Sequence, residues 1–137
     1  MGMEIWDGHT GSDGSPRIVL KLRGRTTQRE FTALIDTGFS GFLYIPLLVA
    51  IPLGVFLDSL SDATLADGST IRVLLSEFEG DISGTPFHGE AMMGFQGGND
   101  ILLGMEFLRT TDRALFVDGI DHVRGPSKFK QAHPLLV

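Results

Sequence analysis

The chain has 137 residues, 42% of them apolar, so it has the length of one domain and enough apolar side chains to form a core. It contains no cysteine, which excludes disulfide bonds, thiolate metal sites and a cysteine nucleophile. Its 11 basic and 17 acidic residues give a net charge of −6, which argues against a nucleic-acid partner, because phosphate binding needs concentrated Lys and Arg.

The predicted elements are mainly short strands between turn residues, because the 18 glycines separate short apolar runs and no long run has the helical period. Strands are expected over residues 3–6, 17–23, 31–35, 55–60, 63–65, 71–75, 77–82, 87–93, 101–103, 115–117 and 120–123. Loops are expected over residues 7–16, 24–29 and 94–100, and one or two helical turns over 105–109. Pro46 can open a short helix that Pro52 and Gly54 would close. The predicted fold class is all-β.

Turn residues predict three hairpins along the chain. Asp67-Gly68 favours a tight type I′ turn, in which both central residues need a positive φ. Residues 83–86, Ser-Gly-Thr-Pro, predict a second turn, and Asp118-Gly119 predicts a third.

The segment over residues 37–57 carries no charge, which makes it a candidate for a membrane span. Pro46, Pro52 and Gly54 interrupt it, and its apolar part is shorter than the ~18 residues that a bilayer helix needs. We therefore expect buried core there and no membrane partner. Residues 1–10 lack the basic and apolar regions of a secretory signal, and the absence of cysteine is compatible with a reducing compartment, so the expected location is the cytoplasm.

Asp36-Thr37-Gly38 is the chain's strongest candidate for chemistry. The carboxylate of Asp36 directly follows the apolar pair Leu34 and Ile35, so a strand would deliver it into a partly desolvated place. The neighbouring threonine can hydrogen-bond, and the glycine lets the backbone turn tightly and approach a ligand. Alone, the tripeptide is also a reasonable strand-ending turn.

Two further segments strengthen the reading of this tripeptide. The chain has FTALIDTGFSG at 31–41, ADGST at 66–70 and ILLGMEFL at 101–108, in that order. With this pattern the sequence resembles the retropepsin-like aspartic peptidases, and looks like a cellular or prokaryotic member. Their pattern is a hydrophobic strand into D-T-G, then a hairpin flap, then two aliphatic residues and a glycine that open a short helix.

The resemblance implies one domain over residues 1–124, a small closed β-barrel with a flap hairpin and one or two short helices, which pairs as a C2 dimer. Residues 125–137 would be a loosely ordered tail or an interface arm. The implied roles are catalysis by Asp36, Thr37 and Gly38, substrate binding by Phe39, Ser40, Ala66, Asp67, Gly68, Ser69, Gly97 and Gly98, and support of the catalytic loop by Leu102, Leu103 and Gly104. No cofactor and no metal is implied.

The function implied is that of an aspartic endopeptidase acting on an extended peptide or unfolded protein. Amide hydrolysis needs a base to activate water and an acid to protonate the carbonyl oxygen or the leaving amine. Two adjacent carboxyls divide these roles because both cannot ionise comfortably, an effect for which aspartic proteases are the standard example. The chain has one D-T-G, so a homodimer would have to supply two copies of Asp36, with Thr37 reaching across the axis to the partner's loop.

Three departures from the family pattern motivate an alternative function. Phe39 stands where many relatives have Ala or Ser, and it could narrow the binding groove. Viral relatives often have an acidic residue and an arginine where this chain has Ser40 and Met105, so that ion pair is absent, and the hairpin tip has no Tyr of the pepsin kind. The alternative is a catalytically silent, dimeric, peptide-binding module.

Other motifs predict no further site. The four histidines have no metal-ligand spacing, and His88 with Glu90 is typical of a solvated strand face. Residues 94–98, GFQGG, lack the Lys and Ser or Thr of a phosphate-binding loop. Residues 38–42, Gly-Phe-Ser-Gly-Phe, do not complete the G-x-S-x-G pattern of a nucleophile elbow.

Overall fold

The computed structural model describes residues 8–55, 59–64, 67–95 and 99–115. In chain order its elements are β1 (His9–Thr10), β2 (Pro16–Arg23), β3 (Gln28–Ile35), β4 (Leu43–Pro46), α1 (Leu47–Leu53), β5 (Ser59–Thr64), β6 (Thr70–Ile82), β7 (Thr85–Gly94), β8 (Ile101–Leu103) and α2 (Met105–Thr110). The predicted strands over 3–6 and 120–123, the Asp118-Gly119 hairpin and the 125–137 tail lie outside the described residues, as does all of the 115–117 strand except its first residue.

The strands form one sheet that closes on itself. The strand order is β1-β2-β3-β8-β4-β7-β6-β5. An additional pairing of β2 with β6, the second strand from each end of this order, closes the sheet. Six strands, β2, β3, β8, β4, β7 and β6, therefore form a closed barrel, and β1 and β5 extend it at the edges. The all-β prediction with a small closed barrel and two short helices is confirmed.

Alternation along β2 shows why these residues form barrel strands. Ile18, Leu20 and Leu22 are buried, whereas Val19 and Lys21 are exposed, as the alternating sequence predicts. The buried face points into the barrel, where it joins the single hydrophobic core. Closure leaves the barrel strands with partners on both sides, which satisfies their backbone groups.

Three phenylalanines from different parts of the chain pack together in the core. The ring centroids of Phe42 and Phe87 lie 6.1 Å apart, and each lies 5.2 Å from that of Phe107 on α2. A Cβ atom at Gly89 would lie 2.6 Å from the Phe42 ring, so a side chain at that position would displace the cluster. The cluster attaches α2 to the barrel.

Several predicted boundaries were wrong. The predicted strands over 71–75 and 77–82 are one continuous strand, β6, which runs through Ser76, a polar residue that is only 2% exposed. Of the strand predicted over 55–60, residue 55 is not in a strand, residues 59 and 60 belong to β5, and residues 56–58 lie outside the described residues. Strand β4 was not predicted, since its four residues are all buried and show no alternation. The predicted 7–16 loop contains the two-residue strand β1.

The turns also differ from the predictions in detail. At Asp67-Gly68, Gly68 has a positive φ but Asp67 does not, so this turn is not the predicted type I′ turn. The two-residue turn occurs at Ser83-Gly84, where both residues have a positive φ (51° and 85°), as type I′ requires.

Helix α1 begins after Pro46 as predicted, but it continues through Pro52 to Leu53. Its end follows from Gly54, which has a left-handed conformation (φ 80°) and donates a hydrogen bond to the carbonyl oxygen of Ile51. Across the described ranges, no helix has both the length and the apolar character needed to cross a bilayer.

We predict that Phe107→Ala lowers the free energy of unfolding by about 3–5 kcal/mol, because it removes a ring that is 1% exposed from the centre of the core. Phe95→Ala is the matched control, since that ring is 74% exposed, and it should change stability by less than about 0.5 kcal/mol. Urea unfolding of both variants measures the difference. Equal effects would contradict the assignment of the core.

Candidate active site

The loop that carries Asp36 begins at the end of β3, next to β8. These two strands are parallel, and Ala33 and Ile35 pair with Ile101 and Leu103. The next backbone N–H, that of Asp36, donates to the carbonyl oxygen of Leu103 at 2.9 Å. The carboxylate therefore leaves the barrel where the buried end of β3, at Ala33 and Ile35, pairs with β8.

A short turn orients the Asp36 carboxylate. Its Oδ1 accepts a hydrogen bond from the N–H of Gly38 at 2.9 Å, and Asp36 is partly buried. A Cβ at residue 38 would lie 3.2 Å from the same oxygen, which is tighter than an ordinary contact, so glycine suits this position. Thr37, Gly38 and Ser40 are exposed. The geometry presents an oriented, partly exposed carboxylate beside an exposed Thr37 and Gly38.

The far side of this loop is attached to the start of α2. The N–H groups of Gly104, Met105 and Glu106 donate to the carbonyl oxygens of Phe42, Phe39 and Gly41 at 3.1, 2.8 and 3.1 Å. Helix α2 has no side-chain N-cap, so these carbonyl groups satisfy N–H groups that a helix start otherwise leaves unpaired.

The three residues predicted to support the catalytic loop lie against it. Leu102 pairs with Leu34 and Tyr44, and Leu103 pairs with Ile35. A Cβ at Gly104 would lie 2.2 Å from the carbonyl oxygen of Gly41, so the loop and α2 approach at a distance that only glycine permits.

The hairpin tip between β5 and β6 has its own internal structure. Asp67 Oδ1 accepts hydrogen bonds from the hydroxyl of Ser69 at 2.6 Å and from its N–H at 2.9 Å, and Gly68 has φ 88°. These bonds, that of the hydroxyl first, hold the pKa of the Asp67 carboxyl below its ordinary value. Of the other predicted substrate-binding residues, Ala66, Gly97 and Gly98 lie outside the described residues.

The same Asp-Gly-Ser turn occurs at residues 13–15. Asp13 Oδ1 accepts from the hydroxyl and the N–H of Ser15 at 2.5 and 3.1 Å, and Gly14 has φ 84°. The Ser15 hydrogen bonds lower the pKa of Asp13 in the same way, with a smaller contribution from the charge of Arg17. The tripeptide Asp-Gly-Ser therefore forms the same turn at both places in the sequence. The prediction of a type I′ hairpin at Asp67-Gly68 did not use this repeat.

An ion pair that sequence reasoning missed lies next to the strand that ends at Asp36. Arg17 on β2 pairs with Leu34, and its guanidinium donates to Asp100 at 3.1 Å, which raises the pKa of Arg17. Asp13 lies 3.6 Å from the same group. Arg17 thereby connects the turn at residues 13–15 with the residue that precedes β8. The separation of 83 residues between Arg17 and Asp100 explains why sequence patterns did not reveal it.

A cleft of about 400 Å³ lies at the other end of the β2–β3 hairpin, lined among others by Arg23, Arg25 and His88. Arg23 lies six residues, roughly 20 Å, along β2 from Arg17 and the Asp36 end. The cleft is therefore separate from the catalytic loop. In the part of the chain that the structure describes, no group of three His, Asp or Glu residues is arranged to hold a metal ion.

Comparisons with known proteins agree with this architecture. Neither a protein-family model nor a curated protein matches the sequence. A solved structure does match, that of a retropepsin-like aspartic protease from Rickettsia conorii, with a TM-score of 0.62 and 18% sequence identity over 92% of this chain and 95% of that one. This chain has a retropepsin-like fold. An identity of 18% supports a shared fold. The function is therefore inferred from the residues of the site.

We predict that Ser69→Ala raises the pKa of Asp67 toward its ordinary value, because the variant removes the hydroxyl donor that stabilises the carboxylate. In the unaltered protein the lowered pKa stabilises the tip above the unfolded-state pKa, and this contribution is lost as the pH falls through the folded-state pKa. An NMR titration of side-chain carboxyl carbons measures the pKa of Asp67 in the unaltered protein and in the variant.

Ser15→Ala is the matched control, because it removes the same bond from Asp13. It should raise the pKa of Asp13 and leave that of Asp67 unchanged. If either variant shifted the pKa values of both Asp13 and Asp67, the conclusion that the two turns are independent would be contradicted.

Proposed function

We propose that this protein is an aspartic endopeptidase whose active site forms when two copies bring their Asp36 residues together. The observation that carries this proposal is the Asp36 carboxylate itself, oriented by the Gly38 N–H and partly exposed at the end of β3, directly after the buried Ile35. It stands on a retropepsin-like barrel, next to a loop–helix contact made through Gly104.

The need for a second copy follows from the count of catalytic groups. Peptide hydrolysis by this route uses two carboxyls, and D-T-G occurs once in the chain. A two-fold axis close to the exposed Thr37 and Gly38 would bring two equivalent loops together in an isologous interface. Thr37 would then contact the partner's loop and maintain the spacing of the two carboxyls.

The two Asp36 carboxyls would divide the chemistry between them. One, ionised, accepts a proton from a water molecule as its oxygen attacks the peptide carbonyl carbon. The other, protonated, donates its proton to the carbonyl oxygen, giving a tetrahedral diol. The first carboxyl, now protonated, then donates its proton to the amide nitrogen while the second takes a proton back from a hydroxyl of the diol. The C–N bond breaks, an acid and an amine are released, and both carboxyls return to their starting states. This chemistry uses no metal and no cofactor.

The hairpin formed by β5 and β6 is suited to binding an extended peptide. Its tip, with Asp67, Gly68 and Ser69, is exposed, and β5 is an edge strand of the sheet that the described residues form. An extended chain can pair with such an edge through its backbone, which recognises unfolded segments with little dependence on sequence. The substrates we propose are therefore extended peptides and unfolded proteins.

We predict that Asp36→Asn lowers kcat on an unstructured peptide by at least about 10²–10⁴-fold, because the amide neither accepts the proton from water nor donates one. Asp81→Asn is the matched control. It changes the same group at the β6–β7 turn, where an amide oxygen can still accept the hydrogen bond from Gly84, so it should retain full activity.

The assay is digestion of a peptide library from acid to neutral pH, with a statine-type transition-state mimic as inhibitor. A bell-shaped pH profile is expected, with two apparent ionisations that belong to the pair of carboxyls. Cleavage that survives Asp36→Asn would contradict the mechanism. Peptide binding without cleavage at any pH would instead support the silent peptide-binding module.

A further inference from the structure

The ring of Phe39 lies over two glycines of the catalytic region. A methyl group built at Gly41 would lie 2.6 Å from Cζ and 2.8 Å from Cε1 of this ring. A methyl group built at Gly104 would lie 2.6 Å from Cδ2. One edge of the ring therefore contacts the loop that carries Asp36, and another contacts the residue that opens α2. Phe39 is partly buried, so much of its surface is used in this packing.

The backbone of the same residue connects the same two elements. The N–H of Phe39 donates to the carbonyl oxygen of Asp36 at 3.1 Å, and its own carbonyl accepts from the N–H of Met105 at 2.8 Å. Phe39 thus touches the catalytic turn on one side and the first turn of α2 on the other. Its side chain fills the space between the two elements that its backbone joins.

We infer that Phe39 is a positioning residue for Asp36: the ring, packed on Gly41 and Gly104, holds the catalytic loop against α2. The consequence for catalysis rests on the proposed peptidase function, whereas the consequence for the loop does not. This role differs from the narrowing of the binding groove that the size of Phe39 predicted from the sequence. A small residue at position 39 would leave the two glycines facing an empty space, and the loop could move away from α2.

The two roles predict different kinetics. If the ring positions Asp36, its removal misplaces the acid relative to the bound peptide, so kcat falls while KM changes little. If the ring forms the wall of the groove, its removal changes KM and the side chains accepted next to the cleaved bond.

A pair of glycine substitutions tests the packing directly. In the unaltered protein, Gly41→Ala should displace the ring, because the three atoms nearest to the new methyl group all belong to the Phe39 side chain, at 2.6, 2.8 and 3.4 Å. In a Phe39→Ala background the same substitution should be harmless, since the two close contacts are gone. Gly41 does not have a positive φ, so alanine is compatible with its backbone.

Gly104→Ala is the control. Its methyl group would lie 2.2 Å from the carbonyl oxygen of Gly41 and 2.6 Å from that of Phe39, and both are backbone atoms. These two backbone clashes remain when the Phe39 ring is removed, so Gly104→Ala should disturb the loop in both backgrounds. Phe39→Leu, which keeps most of the apolar bulk, provides a second variant if Phe39→Ala fails to fold.

The measurements are amide hydrogen exchange at Met105 and Glu106, whose N–H groups donate to the loop, together with kcat and KM. We expect exchange at Met105 to rise about tenfold in Phe39→Ala and in Gly41→Ala, with no further rise in the double variant. Independent, additive effects of the two substitutions would overturn the inference, as would a Phe39→Ala variant altered only in KM and substrate preference. A wild-type protein without peptidase activity would remove the proposed function, and the exchange measurement would still decide the role of Phe39.

Discussion

The first turn of α2 obtains its hydrogen-bond acceptors from the loop that carries Asp36. Three successive N–H groups, starting at Gly104, donate to carbonyl oxygens of that loop, and no side chain caps the helix. Buried polar backbone groups need partners, so neither element can move away without leaving such groups unpaired. The helix is held in turn by Phe107, which is packed against Phe42 and Phe87 in the barrel. The position of Asp36 thus depends on the core through a short series of contacts.

Barrel closure provides the second part of this support. Strand β8 lies between β3 and β4, and its parallel pairing with β3 sets where Asp36 leaves the sheet. The pairing of β2 with β6 closes the barrel around the core, so β2, the neighbour of the strand that ends at Asp36, is itself paired on both sides. Next to that end, Arg17 connects the neighbouring turn to Asp100 before β8. The exposed residues of the loop that carries Asp36 therefore rest on a closed barrel, and rigid elements of this kind position a site more precisely than mobile loops do.

The sequence predicted the elements whose information is local. The tripeptide at Asp36, the alternation along β2 and the Leu-Leu-Gly before α2 are short patterns with direct structural consequences, and the structure brings the first and the last together. It did not predict features that depend on distant partners. Strand β4 is buried on both faces and lacks a period, Ser76 sits inside a continuous strand, and Arg17 meets Asp100 from 83 residues away. Phe39 shows the same limit, because its size was evident but the two glycines beneath its ring were not.

The central claim is that one active site uses two copies of Asp36, and subunit mixing tests it most directly. Wild-type chains are co-refolded with increasing fractions of Asp36→Asn chains at constant total concentration, with Asp81→Asn chains as the control mixture. If both carboxyls are needed, activity follows the square of the wild-type fraction, so an equal mixture keeps about one quarter of the activity. A linear decrease, to about one half in the equal mixture, would show that each subunit acts alone and would contradict the account.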